Sequence, residues 1–336
     1  MKKKNSTAQR KKVKFDNKHL NDPKIKKVYL TFKKQLYSQI KNENFCIGVS
    51  GGPDSLALAF LSKIFSKKFN SKFVALIIDH NLRKQSGIEA RKVKIILTKH
   101  KIRAKILTWK GKIPKSNIQF NARNIRYFLL KKECDKLNIK NLVLAHHESD
   151  LVENFFIRLF RGSGLKGLSS LNIKRYSESN ILNLIRPLIN TKKDELIYIS
   201  KKVFKFYLTD PSNFKEKFLR TRIRNYLDKF KLDGLDINKI KLTLSNLRSA
   251  NESINFYKEK SIKNHLRYFQ RNACFVSHGL FNYESEEVIF RTVSDVISKI
   301  SNNYYPPRGK YVKNLITRIK SKKFKKSTLG GCIIEK

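Results

Sequence analysis

The chain has 336 residues, with 74 Lys and Arg against 26 Asp and Glu, a net charge of +48. This length has room for one large domain or two medium ones. The imbalance points to a polyanionic partner, nucleic acid before membrane, although the abundance of Lys, Asn, Ile and Phe also fits the coding bias of an AT-rich genome. No run of about 18 apolar residues occurs, which excludes a transmembrane helix and sets membranes aside as partners. Residues 1–24 read as a flexible basic arm, because they lack the apolar h-region of a secretory signal. Cys46, Cys134, Cys274 and Cys332 are far apart and form no CxxC pair, which argues against metal or iron–sulfur ligation. A reducing cytosol is the natural setting for them, so a cytoplasmic protein is expected.

In chain order, residues 25–40 have helical spacing. A strand at 45–49 leads to a helix at 55–65. A strand at 72–78 ends at Asp79-His80, and a helix follows at 88–100. A strand at 104–109 precedes a long helix at 118–137. A strand at 141–145 ends at His146-His147, followed by a helix at 150–160. A weaker strand at 181–185 precedes a helix at 193–204. This alternation predicts an α/β fold with a Rossmann-like parallel sheet and helices on both faces. Ligands bind such sheets at the carboxyl ends of the strands, where Ser50, Asp79 and His146 fall. Beyond about 215 the strand signals fade. Basic helices are predicted at 218–230 and 237–262, with further helices at 288–300 and 311–319. Residues 328–334 read as a turn and a strand start with no obvious partner strand, so that strand either pairs with an earlier segment or marks a truncated end. The expected division is a catalytic domain at 25–215, a basic helical region at 216–270 and a small C-terminal accessory region at 271–336.

Between the first strand and its helix lies Ser50-Gly51-Gly52-Pro53-Asp54-Ser55. A glycine turn running into a helix N-terminus aims backbone N–H groups at one spot, which suits phosphate. Ser50 and Ser55 can add hydroxyl donors. Asp54 repels a bare phosphate, so its presence implies an intervening metal, Mg²⁺. The string is neither the Walker loop nor the Rossmann fingerprint. It resembles the pyrophosphate-binding loop of the PP-loop ATP pyrophosphatases, which split ATP to AMP and pyrophosphate.

On a helix over 150–161, turning about 100° per residue, Asp150, Glu153, Asn154, Arg158 and Arg161 share an arc of roughly 140°. The remaining positions are apolar, so the helix is amphipathic with a polar stripe that starts at the ligand rim. Asp150 and Glu153 form a carboxylate pair suited to a cationic group or a metal; as openers of a helix they also favour its macrodipole. Arg161-Gly162-Ser163-Gly164-Leu165-Lys166-Gly167 reads as a mobile, anion-seeking loop or as a plain helix-ending turn. Arg123 and Arg126 share one face of the long helix, where fixed cations would stabilise a pyrophosphate leaving group. His80 either contacts a base or is a satisfied rim histidine. Asp210-Pro211-Ser212-Asn213 forms a turn ahead of Arg220, Arg222 and Arg224. Arg220 and Arg222 cannot share one helix face closely.

Taken together these motifs resemble one PP-loop family, the tRNA(Ile)-lysidine synthetases, over about 45–226. The residues that carry the resemblance are SGGPDS at 50–55, DHNLR at 79–83, ARNIRY at 122–127 and HHESDLVEN at 146–154. RGSGLKGLS at 161–169, RPL at 186–188, DPSN at 210–213 and the Arg220–Arg224 cluster continue it. Ser149 and Asn154 depart from the Asp and Thr common in the family. The resemblance implies that ATP adenylates the C2 carbonyl oxygen of the wobble cytidine in tRNA(Ile) with anticodon CAU. Free L-lysine then attacks C2, leaving lysidine, AMP and pyrophosphate. Lysine's amine has a pKa of about 10.4, so only about one molecule in 2,500 is neutral at pH 7 and a proton acceptor is needed. The resemblance assigns ATP to Ser50, Gly51, Gly52, Pro53, Asp54, Ser55, Asp79 and His80, with Mg²⁺ on Asp54. Catalysis falls to Asp54, Asp150, Glu153 and Arg123, with the two carboxylates of 150 and 153 taking the lysine amine and its proton. His147, Arg158, Arg161, Arg220, Arg222 and Arg224 face the tRNA, and the basic helices hold its body through phosphates. The resemblance allows a homodimer. A tRNA 2-thiolation enzyme and a catalytically idle RNA-binding protein on the same scaffold are the rival readings. The first is disfavoured by the missing cysteine pair and the second by the intact Asp54 and Glu153.

Overall fold

The computed structural model describes residues 18–81, 85–111, 118–171, 174–177, 180–209, 219–269, 272–301, 307–321 and 323–336. In chain order, a 3-10 turn at Lys18–Asn21 leads to α1 (Pro23–Ile40), β1 (Phe45–Val49), α2 (Pro53–Phe69), β2 (Phe73–Asp79), α3 (Ser86–Lys99), β3 (Ala104–Thr108) and α4 (Ile118–Lys136). Then come β4 (Asn141–Val143), α5 (Glu148–Leu159), α6 (Leu165–Leu168), β5 (Lys174–Ser177), β6 (Asn180–Ile185) and α7 (Lys193–Phe204). The remainder is α8 (Leu219–Leu232), α9 (Ile237–His265), β7 (Leu266–Phe269), β8 (Ala273–Val276), α10 (Gly279–Tyr283), α11 (Glu286–Ile300), α12 (Gly309–Lys320), β9 (Lys326–Leu329) and β10 (Cys332–Glu335). The chain divides into two compact units. One comprises 1–149 with 184–211, and the other 150–183 with 212–336.

The first unit is built on the predicted α/β sheet. Its strands run β3-β2-β1-β4, followed by the end of β6 at Leu184–Ile185. The registers joining β1 to β2, β1 to β4 and β2 to β3 are parallel. The strands are near-continuous apolar runs because helices cover both of their faces. Phe45, Ile47 and Val49 of β1 pack with Leu56, Leu58 and Leu61 of α2, and α1 and α7 join the same core. Cys46 points the other way and meets Cys134 of α4, so α4 lies on the opposite face. α1 starts at Asp22, whose carboxylate accepts from the backbone N–H groups of Lys24 and Ile25, with Pro23 as first helical residue. Its buried residues, Ile25, Val28, Tyr29, Phe32, Leu36 and Ile40, recur at helical spacing. α2 is buried around nearly its whole first half, from Ser55 to Ser62. It runs four residues past the predicted end, because Lys67 and Lys68 are accommodated on the last turn before a left-handed cap at Asn70.

The direction of winding reverses at β1. From β1 the chain steps outward to β2 and β3, then returns to add β4 on the other side. The carboxyl ends of β1 and β4 therefore flank the crevice of a doubly wound sheet.

The second unit is mostly helical. α11 and α12 pack Ile289, Val293, Ile297, Val312 and Leu315 around Phe324 and Cys332. In the final segment the strand pairs with an earlier one, the first of the two expected alternatives. β10 pairs neither with a distant strand nor stands alone, but forms an antiparallel hairpin with β9 immediately before it. Gly330 and Gly331, at φ of 61° and 85°, supply the two left-handed positions of a tight turn. Lys326-Ser327-Thr328 is too polar to announce a strand, so the partner was not visible in the sequence. A second short hairpin, β7–β8, was not predicted at all.

Candidate active site

In the first unit the loop at 50–55 joins β1 to α2, as the apolar runs on either side require. Gly51 adopts φ of 87°, and Gly52 occupies the N-cap of α2 without a side-chain cap. Ser55 braces the loop from inside. Its hydroxyl accepts from the N–H groups of Ser50 (3.2 Å) and Gly51 (3.1 Å) and donates to the carbonyl of Gly52 (2.9 Å). Pro53 is the first helical residue, and its carbonyl accepts from the Ser200 hydroxyl of α7 at 2.5 Å. The Gly51 carbonyl takes the N–H of Leu208. The loop is thus anchored on three sides.

Asp54 lies in the first turn of α2. His147, only 4% exposed, places Nε2 3.5 Å from Asp54 Oδ2. This contact joins the motif after β1 to the motif after β4 across the crevice. The other oxygen, Asp54 Oδ1, is buried and finds no hydrogen-bond donor among the described residues. An orphaned carboxylate oxygen beside a phosphate-type loop fits a bound cation. Among the described residues no group of three His, Cys, Asp or Glu side chains forms a metal cage. The single orphaned oxygen of Asp54 fits the way Mg²⁺ is commonly held, by one or two carboxylates with substrate phosphates and water.

At the end of β2, Asp79 is a turn brace. Its buried carboxylate accepts from the N–H of Asn81 (2.9 Å) and the hydroxyl of Ser86 (2.7 Å). Burial, reinforced by the nearby charge of Arg126 and opposed by Asp79, pushes His80 down to about 4. Its imidazole is therefore neutral at physiological pH. Of the two arginines on α4, both exposed, Arg126 is the one whose charge bears on His80. Arg123 is exposed and sits 5.1 Å from the ring centroid of Tyr127. Spacing alone could not choose between two arginines three residues apart.

In the second unit α5 and α8 form an ion-pair network. Arg224 Nε meets Glu153 Oε1 and Arg220 Nε meets Glu153 Oε2, both at 2.6 Å. A second nitrogen of Arg220 bonds Asp150, and Arg224 Nη2 adds a 3.2 Å bond to Glu153. Glu153 is nearly fully buried, so its charge is balanced by two guanidinium forks. Arg220 and Arg224 are four residues apart and share a face, while Arg222 is exposed on another. Arg158 and Arg161 stand at the α5 terminus, where the N–H groups of Arg161 and Ser163 return to the Arg158 carbonyl. Arg161 is exposed.

Residues 25–230 match the PP-loop domain family. The chain is 35% identical over 304 residues to the tRNA(Ile)-lysidine synthase of Orientia tsutsugamushi (strain Boryong), covering 88% of this chain and 68% of that protein. It belongs to the tRNA(Ile)-lysidine synthase family. The family's Wolbachia pipientis wMel member is 32% identical over 304 residues, which cover 89% of this chain and 70% of that protein. The chain thus spans about two thirds of the length of its lysidine synthase relatives, 66% for the Rickettsia felis protein. Among solved structures, the U34-tRNA thiolase of Methanococcus maripaludis shares the fold, with a TM-score of 0.58, 19% identity, and coverage of 67% of this chain and 79% of that one. Of the lysidine synthase motifs expected here, Asp210-Pro211-Ser212-Asn213 lies outside the described residues, as do Leu82 and Arg83 of the motif after β2. Arg186, opening the RPL motif, is almost completely buried, an unusual place for a guanidinium that no local pattern announces.

Proposed function

We propose that this protein uses ATP to adenylate the wobble cytidine of tRNA(Ile) with anticodon CAU and then ligates free L-lysine to C2, giving lysidine, AMP and pyrophosphate. The observation that carries the reading is the meeting of Asp54 and His147 at the crevice between β1 and β4, in a chain of the lysidine synthase family. The loop at 50–55 would hold the ATP phosphates against the N-terminus of α2. Asp54 would hold Mg²⁺ through its orphaned oxygen, and the ion would supply charge neutralisation at the phosphates. His80, kept neutral, leaves the rim without an extra positive charge and can stack on or hydrogen-bond a base.

Asp150 and Glu153 would receive the lysine ammonium and its proton. Their engagement by Arg220 and Arg224 bears on that role. Arg220 contacts both carboxylates and Arg224 contacts Glu153, so lysine must share or displace Arg220 to reach them. A role in 2-thiolation is less well supported. Cys46, Cys134 and Cys332 are buried, Cys274 is on a different unit from Cys46 and Cys134, and all four are free thiols.

The test is tRNA-dependent release of pyrophosphate from ATP, followed with and without lysine. Release that needs tRNA(Ile) but not lysine supports a separate adenylation step. Release that is independent of tRNA would contradict it.

A further inference from the structure

The β7–β8 ribbon has two unlike faces. Its register pairs Leu266 with Val276 and Tyr268 with Cys274, and these four alternate with the pairs Arg267–Phe275 and Phe269–Ala273. The first set is the more covered one, with Tyr268 at 38% its most exposed member. Leu266 is buried, Val276 packs against the core of α11 and α12, and the Lys299 ammonium of α11 lies 3.6 Å from the centroid of the Tyr268 ring. The second set faces solvent, with Phe269 58% and Phe275 56% exposed and Arg267 exposed in the same row. The ribbon is therefore held from behind, and its outer face carries two largely exposed aromatic rings and an exposed guanidinium. Lys260 and Lys263, near the end of α9 that leads into the ribbon, are also exposed.

Two exposed phenylalanines on a strand pair cost solubility unless they serve a partner. The chemistry around them selects that partner. Aromatic faces stack on nucleobases regardless of sequence, arginine stacks on bases and binds phosphate, and the chain as a whole carries a large positive charge. Phe269 and Phe275 are diagonal neighbours across the ribbon, a relation that places side chains about 7–8 Å apart. That is about twice the 3.4 Å step between successive bases of a strand.

We propose that the outer face of the β7–β8 ribbon is a stacking platform for unpaired nucleotides of the bound tRNA, with Phe269 and Phe275 contacting bases and Arg267 their phosphates. The proposal rests on the reading that tRNA is the substrate. It adds a base-contacting surface to the basic helical region, otherwise read as gripping the tRNA body through phosphates.

The experiment uses the full chain and unmodified tRNA(Ile) bearing CAU. Binding constants are measured for the wild type, for Phe269→Ala with Phe275→Ala, for the corresponding double Leu and double Tyr variants, and for Arg267→Ala across a salt series. The double Ala and double Leu variants are expected to bind about 10-fold or more weakly, and the double Tyr variant within about 2-fold of wild type. Arg267→Ala is expected to reduce the salt slope by about one. Wild-type affinity in the Ala or Leu pair overturns the platform. So does a loss of self-association with unchanged tRNA affinity, which would make the ribbon a contact between two copies of the chain. A wild-type chain that binds tRNA but incorporates no lysine overturns the proposed reaction and leaves the platform standing. A wild-type chain that binds no tRNA overturns both.

Discussion

At Gly51 the chain turns with φ of 87°, and a methyl group there would lie 2.5 Å from Val93 Cγ2 and 2.8 Å from Leu208 Cδ1. Gly51→Ala therefore combines backbone strain with a clash against α3. It is expected to cost about 1–3 kcal/mol in a denaturation titration and to weaken ATP binding. Asp54 separates two roles. Asp54→Ala should abolish pyrophosphate release while tRNA affinity stays near wild type, as measured by filter binding. Loss of both would mean that the substitution disturbs the fold. His80 gives a pH signature. Its pKa is about 4 when folded against 6.5 for the free side chain, so the unfolded chain binds more protons between those values. Stability from the neutral imidazole is present above pH 6.5 and is lost as pH falls towards 4. His80→Asn should flatten that acid limb in denaturation midpoints compared at about pH 5 and about pH 7, and an unchanged limb would show that other groups dominate it.

At the scale of elements, contiguous signals were legible and distant pairings were not. The loop at 50–55 and the histidines at 146–147 sit at the ends of apolar runs, and the α/β alternation placed both at one rim. The partners of Glu153 were hidden, because Arg220 and Arg224 lie 67 and 71 residues further on. No local period connects α5 to α8, so the carboxylate pair looked available for a cationic group or a metal. β7, β8 and β9 are four residues each, and exposed polar or aromatic positions interrupt their patterns. The ion-pair network predicts a measurable coupling. Glu153→Gln is expected to destabilise the protein by about 1–3 kcal/mol, less than a fully buried pair costs, because both arginines keep contact with water. A double-mutant cycle with Arg224→Ala should recover a coupling of about 1 kcal/mol or more. Additive effects would mean that the contact contributes nothing. In kinetics, Glu153→Gln should lower kcat/KM for lysine by at least about 10-fold; a wild-type value would remove the carboxylate from the base role.

For the whole molecule, the net charge of +48 sets how the substrate is gripped. Affinity for tRNA should fall about 10³-fold between 50 and 200 mM salt if six or more phosphates are neutralised, while ATP affinity changes far less. The same charge left two explanations open in the sequence, a polyanionic partner and the drift of an AT-rich genome. The excess of Lys and Arg is spread over both units, so the charge itself does not choose between the two explanations; the lysidine synthase relatives favour the first. The central claim, that this chain joins lysine to a tRNA through an adenylated base, is tested most directly by incorporation of radiolabelled lysine. The assay uses unmodified tRNA(Ile) bearing CAU, with ATP and Mg²⁺. The account predicts label in the tRNA that requires ATP and is absent with Asp54→Ala; tRNA-dependent pyrophosphate release with no label from lysine would contradict it.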